Sequence, residues 1–237
     1  MEQSEIVKLN KIKAKSAWLK KGAARSSAIS CGLGIGIGVG ISLFIFTETI
    51  RGFGIYLAGL CTFHMWEYIW VTMYHPDKLS SKSFLLNHSP QFNMALLISF
   101  IEYWIEWYFF PSLKTVPLWW LGAIFMIFGQ VVRSIAMDTA GSNFTHLVQE
   151  EKRDDHVLVT NGVYQFMRHP SYFGWFIWSV STQVILMNPI SVIGFGWASW
   201  NFFSQRIENE EDYLIQFFGK SYKDYKKSVW SGIPGVQ

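Results

Sequence analysis

Cysteine is scarce in this chain of 237 residues: there are two, Cys31 and Cys61, both inside apolar runs. That excludes a disulfide framework and a thiolate metal site, and leaves both as small buried hydrophobes. Charge is scarce as well. Asp, Glu, Lys and Arg make up 16% of the residues, and long stretches carry almost none. No Ser/His/Asp or Cys/His constellation of the kind that activates a nucleophile is evident. Neither is an internal repeat or a low-complexity tract. The first apolar run has a long basic arm before it and no small-residue cleavage site, so it reads as a retained anchor, not a signal peptide. The final residues, SGIPGVQ, hold no readable retention address. Neither a nucleic-acid partner nor a bound metal is expected.

What the chain has in quantity is apolar and aromatic side chains, 50% hydrophobic with 18% Phe, Trp and Tyr. A membrane helix needs ~20 mostly apolar residues. Such runs occur at 28–47, 53–73, 92–110 and 117–137. Two shorter ones, 172–187 and 190–203, are split by Asn188-Pro189, a turn signal that predicts a tight helical hairpin. The expected fold is all-α: an integral membrane helical bundle of about six spans with a polar ligand-binding loop and a C-terminal helix. It divides into a basic arm (1–27), a four-helix membrane region (28–137), and a region (138–237) holding the loop, the hairpin and the tail.

If every run spans, the basic residues fall largely on one side. Lys8, Lys11, Lys13, Lys15, Lys20, Lys21 and Arg25 precede the first run, and Lys78 and Lys82 follow the second. Lys152, Arg153 and Arg168, then Arg206, Lys220, Lys223, Lys226 and Lys227, share that side, against Arg51 and Lys114 opposite. Both ends and the 138–171 loop are therefore expected in the cytosol. Within the first run, Gly32, Gly36 and Gly40 recur every four residues, predicting one flat face for close helix packing.

Ionisable residues inside such runs are costly in hydrocarbon and so mark either function or interhelical bonding. His64 and Glu67 share one face of the second run, and Glu102 and Glu106 one face of the third. Structure is the expected role for His64, Glu67 and Glu102. Arg133, a turn from the end of the fourth, reads as snorkelling to headgroups. The richest stretch is 140–172, AGSNFTHLVQEEKRDDHVLVTNGVYQFMRHPSY, a polar loop between two spans. Within it EEKRDD (150–155) reads as a solvated charge cluster. The run 156–159 and the backbone around Pro170 offer exposed amides and carbonyls to an adenosine-bearing ligand. Beyond the last run, Arg206 and Glu210 lie four apart on one helix face, either pairing or dividing their duties beside a cavity.

The motifs HMWEY, SFLLNHS, EYWIEWYFFP, GSNFTH, HVLVTNGVYQFMRHPSYFGWF, NPI and RIENEEDYLIQFFGKSYKDYKK together resemble the isoprenylcysteine carboxyl methyltransferase family, from about His64 to Lys227. The RHPSY block alone is shared with other integral-membrane methyltransferases. GSNF with SFLLNH is specific to the prenylcysteine enzymes. The N-terminal arm and the glycine-rich helix match less clearly, and Asn209 stands where relatives often continue an acidic run.

The resemblance implies a methyl transfer from S-adenosyl-L-methionine to the C-terminal carboxylate of prenylated cysteine. The implied acceptors are CaaX-type proteins such as small GTPases, methylated at the endoplasmic reticulum membrane by a site facing the cytosol. It places Gln149, His156, Val157, Leu158, Val159, Tyr164, His169, Pro170, Ser171, Tyr172 and Glu210 at the cofactor, Arg206 at the substrate carboxylate, and Arg133 at a position that steers that carboxylate or shapes the site. A carboxylate nucleophile is already ionised, so such a site needs alignment and dryness more than a base. A planar guanidinium grips a carboxylate bidentately. Rival readings are a phospholipid N-methyltransferase, a sterol reductase, and a non-catalytic lipid-binding or transport protein. A sterol reductase typically has Asn where this chain has Ser171, and the non-catalytic reading leaves Arg206, Glu210 and the polar loop without a purpose.

Overall fold

The computed structural model describes the backbone of residues 3–87, 90–115 and 117–236, and the side chains of those from Lys21 onward apart from Thr115. His88 and Ser89 of the SFLLNHS motif lie outside the described residues, as do the side chains of the lysines before Lys21. The fold is all-α. Helix α1 (Gln3–Phe46), α2 (Arg51–Tyr74), α3 (Pro90–Phe109), the short α4 (Pro111–Thr115) and α5 (Trp119–Ala140) come first. A loop containing two single-turn 3-10 segments leads to α6 (Pro170–Leu186), α7 (Pro189–Phe218) and α8 (Lys220–Ser228). Helix α1 continues unbroken past residue 28, where its composition turns from basic to apolar.

Large hydrophobics crowd the outside: Ile35, Leu97, Ile101, Ile127, Ile193 and Trp197 are all exposed. Polar side chains occupy the inside, with Glu67, Ser99, Gln183 and Asn188 fully buried. A bundle bathed in hydrocarbon is built this way, since lipid solvates Leu and Ile while carboxylates and amides need partners. Two segments, Lys21–Phe46 and Trp119–Asn143, are by themselves long and apolar enough to cross a bilayer. Helices α2, α3, α6 and α7 carry most of the buried polar groups, joined by Lys114 of α4 and Arg133 of α5.

Small residues set the helix spacing. A Cβ on Gly40 would lie 2.6 Å from the Gly54 carbonyl oxygen, and one on Gly54 the same distance from that of Gly40. Gly36 abuts the Cys61 sulfur, whereas Gly32 faces open space. Two of the three periodic glycines therefore do the packing. A second close contact, not anticipated, joins α5 to α6, where Gly129 and Gly174 oppose each other with the same 2.6 Å limit.

The α6–α7 turn falls at Met187-Asn188, as the Asn-Pro signal requires, with Met187 in the left-handed region (φ 54°). Its backbone is satisfied by ionic caps. Lys114 Nζ donates to the carbonyls of Leu186 (2.9 Å) and Met187 (3.0 Å), to Asn188 Oδ1 (2.9 Å) and to Glu106 (2.7 Å). Glu102 accepts the first amides of α7, from Ile190 at 2.8 Å and Ser191 at 2.9 Å, and the Ser191 hydroxyl. Orphan carbonyls thus meet a cation and orphan amides an anion, as helix ends prefer.

At the other end α7 runs on as one helix into the polar region, breaking at Gly219 (φ 55°). The segment after α8 folds back: Ser231 and Ile233 are fully buried, and the amides of Arg168 and His169 donate to Trp230 (2.8 Å) and Ser231 (2.9 Å).

Candidate active site

Two cavities meet at the polar end of the bundle. The first is a cleft of about 110 Å³, open at its mouth. Of the residues the family resemblance assigns to a cofactor, all line it except Pro170, which is buried at the start of α6. Gln149 and the run His156–Val159 come from the loop, Tyr164 from a 3-10 turn, and His169, Ser171 and Tyr172 from the N-terminus of α6. Glu210 comes from α7.

Several wall residues were read differently or passed over. Tyr213, Leu214, Phe217 and Phe218 line the same cavity. They continue the Glu210 face of α7 at spacings of three, four, seven and eight, a periodicity present in the sequence. Nor is the 150–155 cluster simply solvated. Lys152 Nζ donates to the Phe217 carbonyl (2.9 Å) and lies 4.9 Å from the Phe218 ring centre, and Arg153 Nη2 donates to the Ser142 carbonyl (2.9 Å). The Val157 amide donates to Asn143 Oδ1 (2.9 Å). These contacts latch the loop onto α7 and onto the end of α5.

The second cavity, about 50 Å³, is lined by Phe63, Phe92, Trp175, Phe202 and Phe203 with Arg133, His146 and Arg206. Phe144, Thr145 and Tyr172 belong to both linings and form the wall between the cavities. Arg206 is held by two of its nitrogens: Nε donates to the Tyr172 hydroxyl (2.8 Å) and Nη2 to the His146 carbonyl (2.7 Å). The Tyr172 hydroxyl in turn donates to Glu210 Oε2 at 2.5 Å. Arg206 and Glu210, alternatives for pairing or dividing their duties, thus meet through a tyrosine.

Arg133 is differently placed. Its Nε and Nη2 grip Glu67 bidentately at 2.6 and 2.8 Å, and Nη1 donates to the Ser171 hydroxyl at 2.7 Å. Glu67, fully buried, is also 2.6 Å from His146 Nε2. Arg133 therefore does not snorkel; it ties α5 to α2, α6 and the loop. His64 packs its Nδ1 at 2.8 Å from the Phe84 carbonyl, holding the 3-10 turn Ser81–Phe84 against α2.

Below the cavity, Glu211 gathers Arg168 Nε (2.7 Å), His169 Nε2 (3.1 Å) and Lys226 Nζ (2.6 Å). Burial would raise its pKa, but the hydrogen bonds from His169, Lys226 and Arg168 hold it at about 2. Arg168 also donates to the Lys226 (3.1 Å) and Val229 carbonyls, so this group secures the tail. The acidic run 208–212 concealed this division, with Glu210 facing the cavity and Glu211 facing inward.

Two cavities sharing a wall, one carrying Glu210 and the other aromatic side chains with Arg206, in a helical bundle whose exterior is apolar, fit the class of integral-membrane enzymes. Residues 121–216 match the isoprenylcysteine carboxyl methyltransferase (ICMT) family. Along 236 residues, covering 100% of both chains, the sequence is 92% identical to protein-S-isoprenylcysteine O-methyltransferase of Dictyostelium discoideum. It is 51% identical to the Xenopus laevis enzyme of that name over 190 residues, covering 79% of this chain and 65% of the relative. Among solved structures, the eukaryotic intramembrane Ras methyltransferase ICMT superposes with a TM-score of 0.90 at 39% identity, covering 100% of this chain and 88% of that one. The chain belongs to the isoprenylcysteine carboxyl methyltransferase family.

Proposed function

We propose that the chain transfers a methyl group from S-adenosyl-L-methionine to the C-terminal carboxylate of prenylated cysteine, giving the methyl ester. The observation that carries this reading is the shared wall, with Glu210 on the polar cavity and Arg206 on the apolar one.

The residues suit the cofactor. Burial, then the Arg153 charge, pushes the His156 pKa down, and its buried Nδ1 has no partner among the described residues. An unsatisfied ring nitrogen on a cavity wall invites a polar group of a ligand. Glu210 keeps Oε1 free of partners among the described residues, presenting negative charge to a cationic ligand. S-adenosyl-L-methionine supplies an electrophilic methyl carbon on a positively charged sulfur. The chain's part is to hold and to dry. Tyr213, Phe217 and Phe218 wall the polar cavity, and the loop latched by Lys152 and Arg153 closes its side.

On the acceptor side, Arg206 Nη1 takes no partner among the described residues and is free to meet a carboxylate. The aromatic lining beside it suits a prenyl chain, whose burial is worth ~0.8 kcal/mol per CH₂. Arg133, its charge met by Glu67, shapes this cavity. The Arg206 guanidinium, bonded only to neutral oxygens, favours an anionic acceptor over the amine that a phospholipid N-methyltransferase would methylate. The further reading is of about six crossings, an endoplasmic reticulum location, a cytosol-facing site, and prenylated CaaX proteins such as small GTPases as acceptors.

The test is methyl transfer by purified protein from radiolabelled S-adenosyl-L-methionine to N-acetyl-S-farnesylcysteine, for wild type and Arg206→Ala. Base-labile ester from wild type, largely lost in the variant with cofactor binding retained, supports function and clamp together. Cofactor binding without ester redirects the reading to another acceptor, and no cofactor binding ends it.

A further inference from the structure

The Tyr172 hydroxyl occupies the one place where two opposite charges on the same helix would otherwise close on each other. Arg206 and Glu210 are four residues apart on α7, a spacing at which side chains of opposite sign reach one another directly. Instead the hydroxyl stands between them, accepting from Arg206 Nε (2.8 Å) and donating its single proton to Glu210 Oε2 (2.5 Å). Its ring cannot swing away. Tyr172 stacks on His169 with centres 5.4 Å apart and planes at 4°, and on Phe203 at 4.9 Å and 25°. The Arg206 guanidinium lies 5.4 Å from the same ring centre.

From this arrangement we infer that Tyr172 is a positioning residue for the acceptor site: its hydroxyl is a neutral spacer that keeps Arg206 from pairing with Glu210. A guanidinium paired with its own neighbour has fewer N–H groups to give a carboxylate, and a carboxylate so paired has less negative field for a cation. With the spacer in place each group keeps a free edge, Nη1 on the acceptor side and Oε1 on the cofactor side. One hydroxyl thus holds both halves of the site open across their shared wall. The inference rests on the proposed role of Arg206 as the carboxylate clamp.

Phenylalanine at 172 keeps the stacked ring and removes only the spacer. The experiment is equilibrium binding of tritiated N-acetyl-S-farnesylcysteine, without cofactor, to protein in lipid nanodiscs. It compares wild type, Tyr172→Phe, Tyr172→Phe with Glu210→Gln, and Arg206→Ala. Loss of a charge-assisted hydrogen bond predicts about tenfold weaker acceptor binding in Tyr172→Phe. Adding Glu210→Gln removes the charge that captures Arg206, so affinity returns to within about threefold of wild type. A structural role for the hydroxyl would not respond to that second change. Wild-type affinity in Tyr172→Phe, with Arg206→Ala impaired, overturns the spacer and leaves the clamp standing. So does a loss in Tyr172→Phe that Glu210→Gln fails to restore. Unchanged affinity in Arg206→Ala overturns the clamp, and the spacer falls with it.

Discussion

Arg133→Ala separates the two arginines of the acceptor cavity by what each should cost. Arg133 satisfies both oxygens of Glu67, a carboxylate with no solvent exposure, and reaches Ser171 with its third nitrogen. Removing it leaves a buried charge facing only His146. Breaking a buried pair by deleting one partner typically costs ~3–5 kcal/mol. For a chain of this size that corresponds to a fall in Tm of about 6–20 °C. Paired replacement by Arg133→Met with Glu67→Gln removes both charges and should recover most of that loss, because the penalty belongs to the stranded anion. The assay is thermal unfolding in nanodiscs, followed by tryptophan fluorescence, with acceptor KM measured well below each Tm. Architecture predicts a low Tm with acceptor KM within about threefold of wild type, since no uniform binding contact is lost. Wild-type Tm together with an acceptor KM raised as in Arg206→Ala would refute this reasoning and make Arg133 the clamp.

Two other perturbations follow from the packing and from the tail. Gly129→Ala drives a methyl group to 2.6 Å from the Gly174 carbonyl oxygen and should destabilise by about 1–3 kcal/mol, while Gly34→Ala, facing open space, should be neutral; equal Tm values for the two variants would contradict the α5–α6 contact. Glu211 is held at about 2 against an ordinary 4.5, so its contribution is full above pH ~4.5 and lost as pH falls toward 2. Hydrogen exchange at 229–236 should rise across that window in wild type, and Glu211→Gln should show raised exchange already at neutral pH, with a flatter response.

Local features were legible in the sequence. The helical hairpin at Asn188-Pro189 was announced by a dipeptide whose chemistry is turn-forming wherever it sits. The residues proposed for the cofactor are mostly crowded into 149–172, and motif resemblance transfers them together. What escaped is what needs partners far along the chain. Gly129 and Gly174 carry no four-residue period; their importance exists only when α5 lies against α6. Arg133 looked like a snorkelling side chain because Glu67, its partner 66 positions earlier, can be assigned to it only in three dimensions. Lys152 and Arg153 sat in a run of charges whose composition describes solvent, although their heads cap carbonyls. Phe217 and Phe218 read from sequence as packing against the core, although their spacing from Glu210 was on view.

Helix α7 joins the ionic lock at one end of the bundle to Arg206, the proposed carboxylate clamp, at the other without a break. From Ser191 to Arg206 the rise is about 23 Å at 1.5 Å per residue. Over that arm a tilt of about 5° moves the guanidinium by about 2 Å, and misplacements near 1 Å already slow oriented reactions about a hundredfold. Bilayer thickness acts on helix tilt. The surrounding lipid is therefore a mechanical input to this site: a membrane that tips α7 strains the hydrogen bond between Arg206 and Tyr172, and with it the wall the two cavities share.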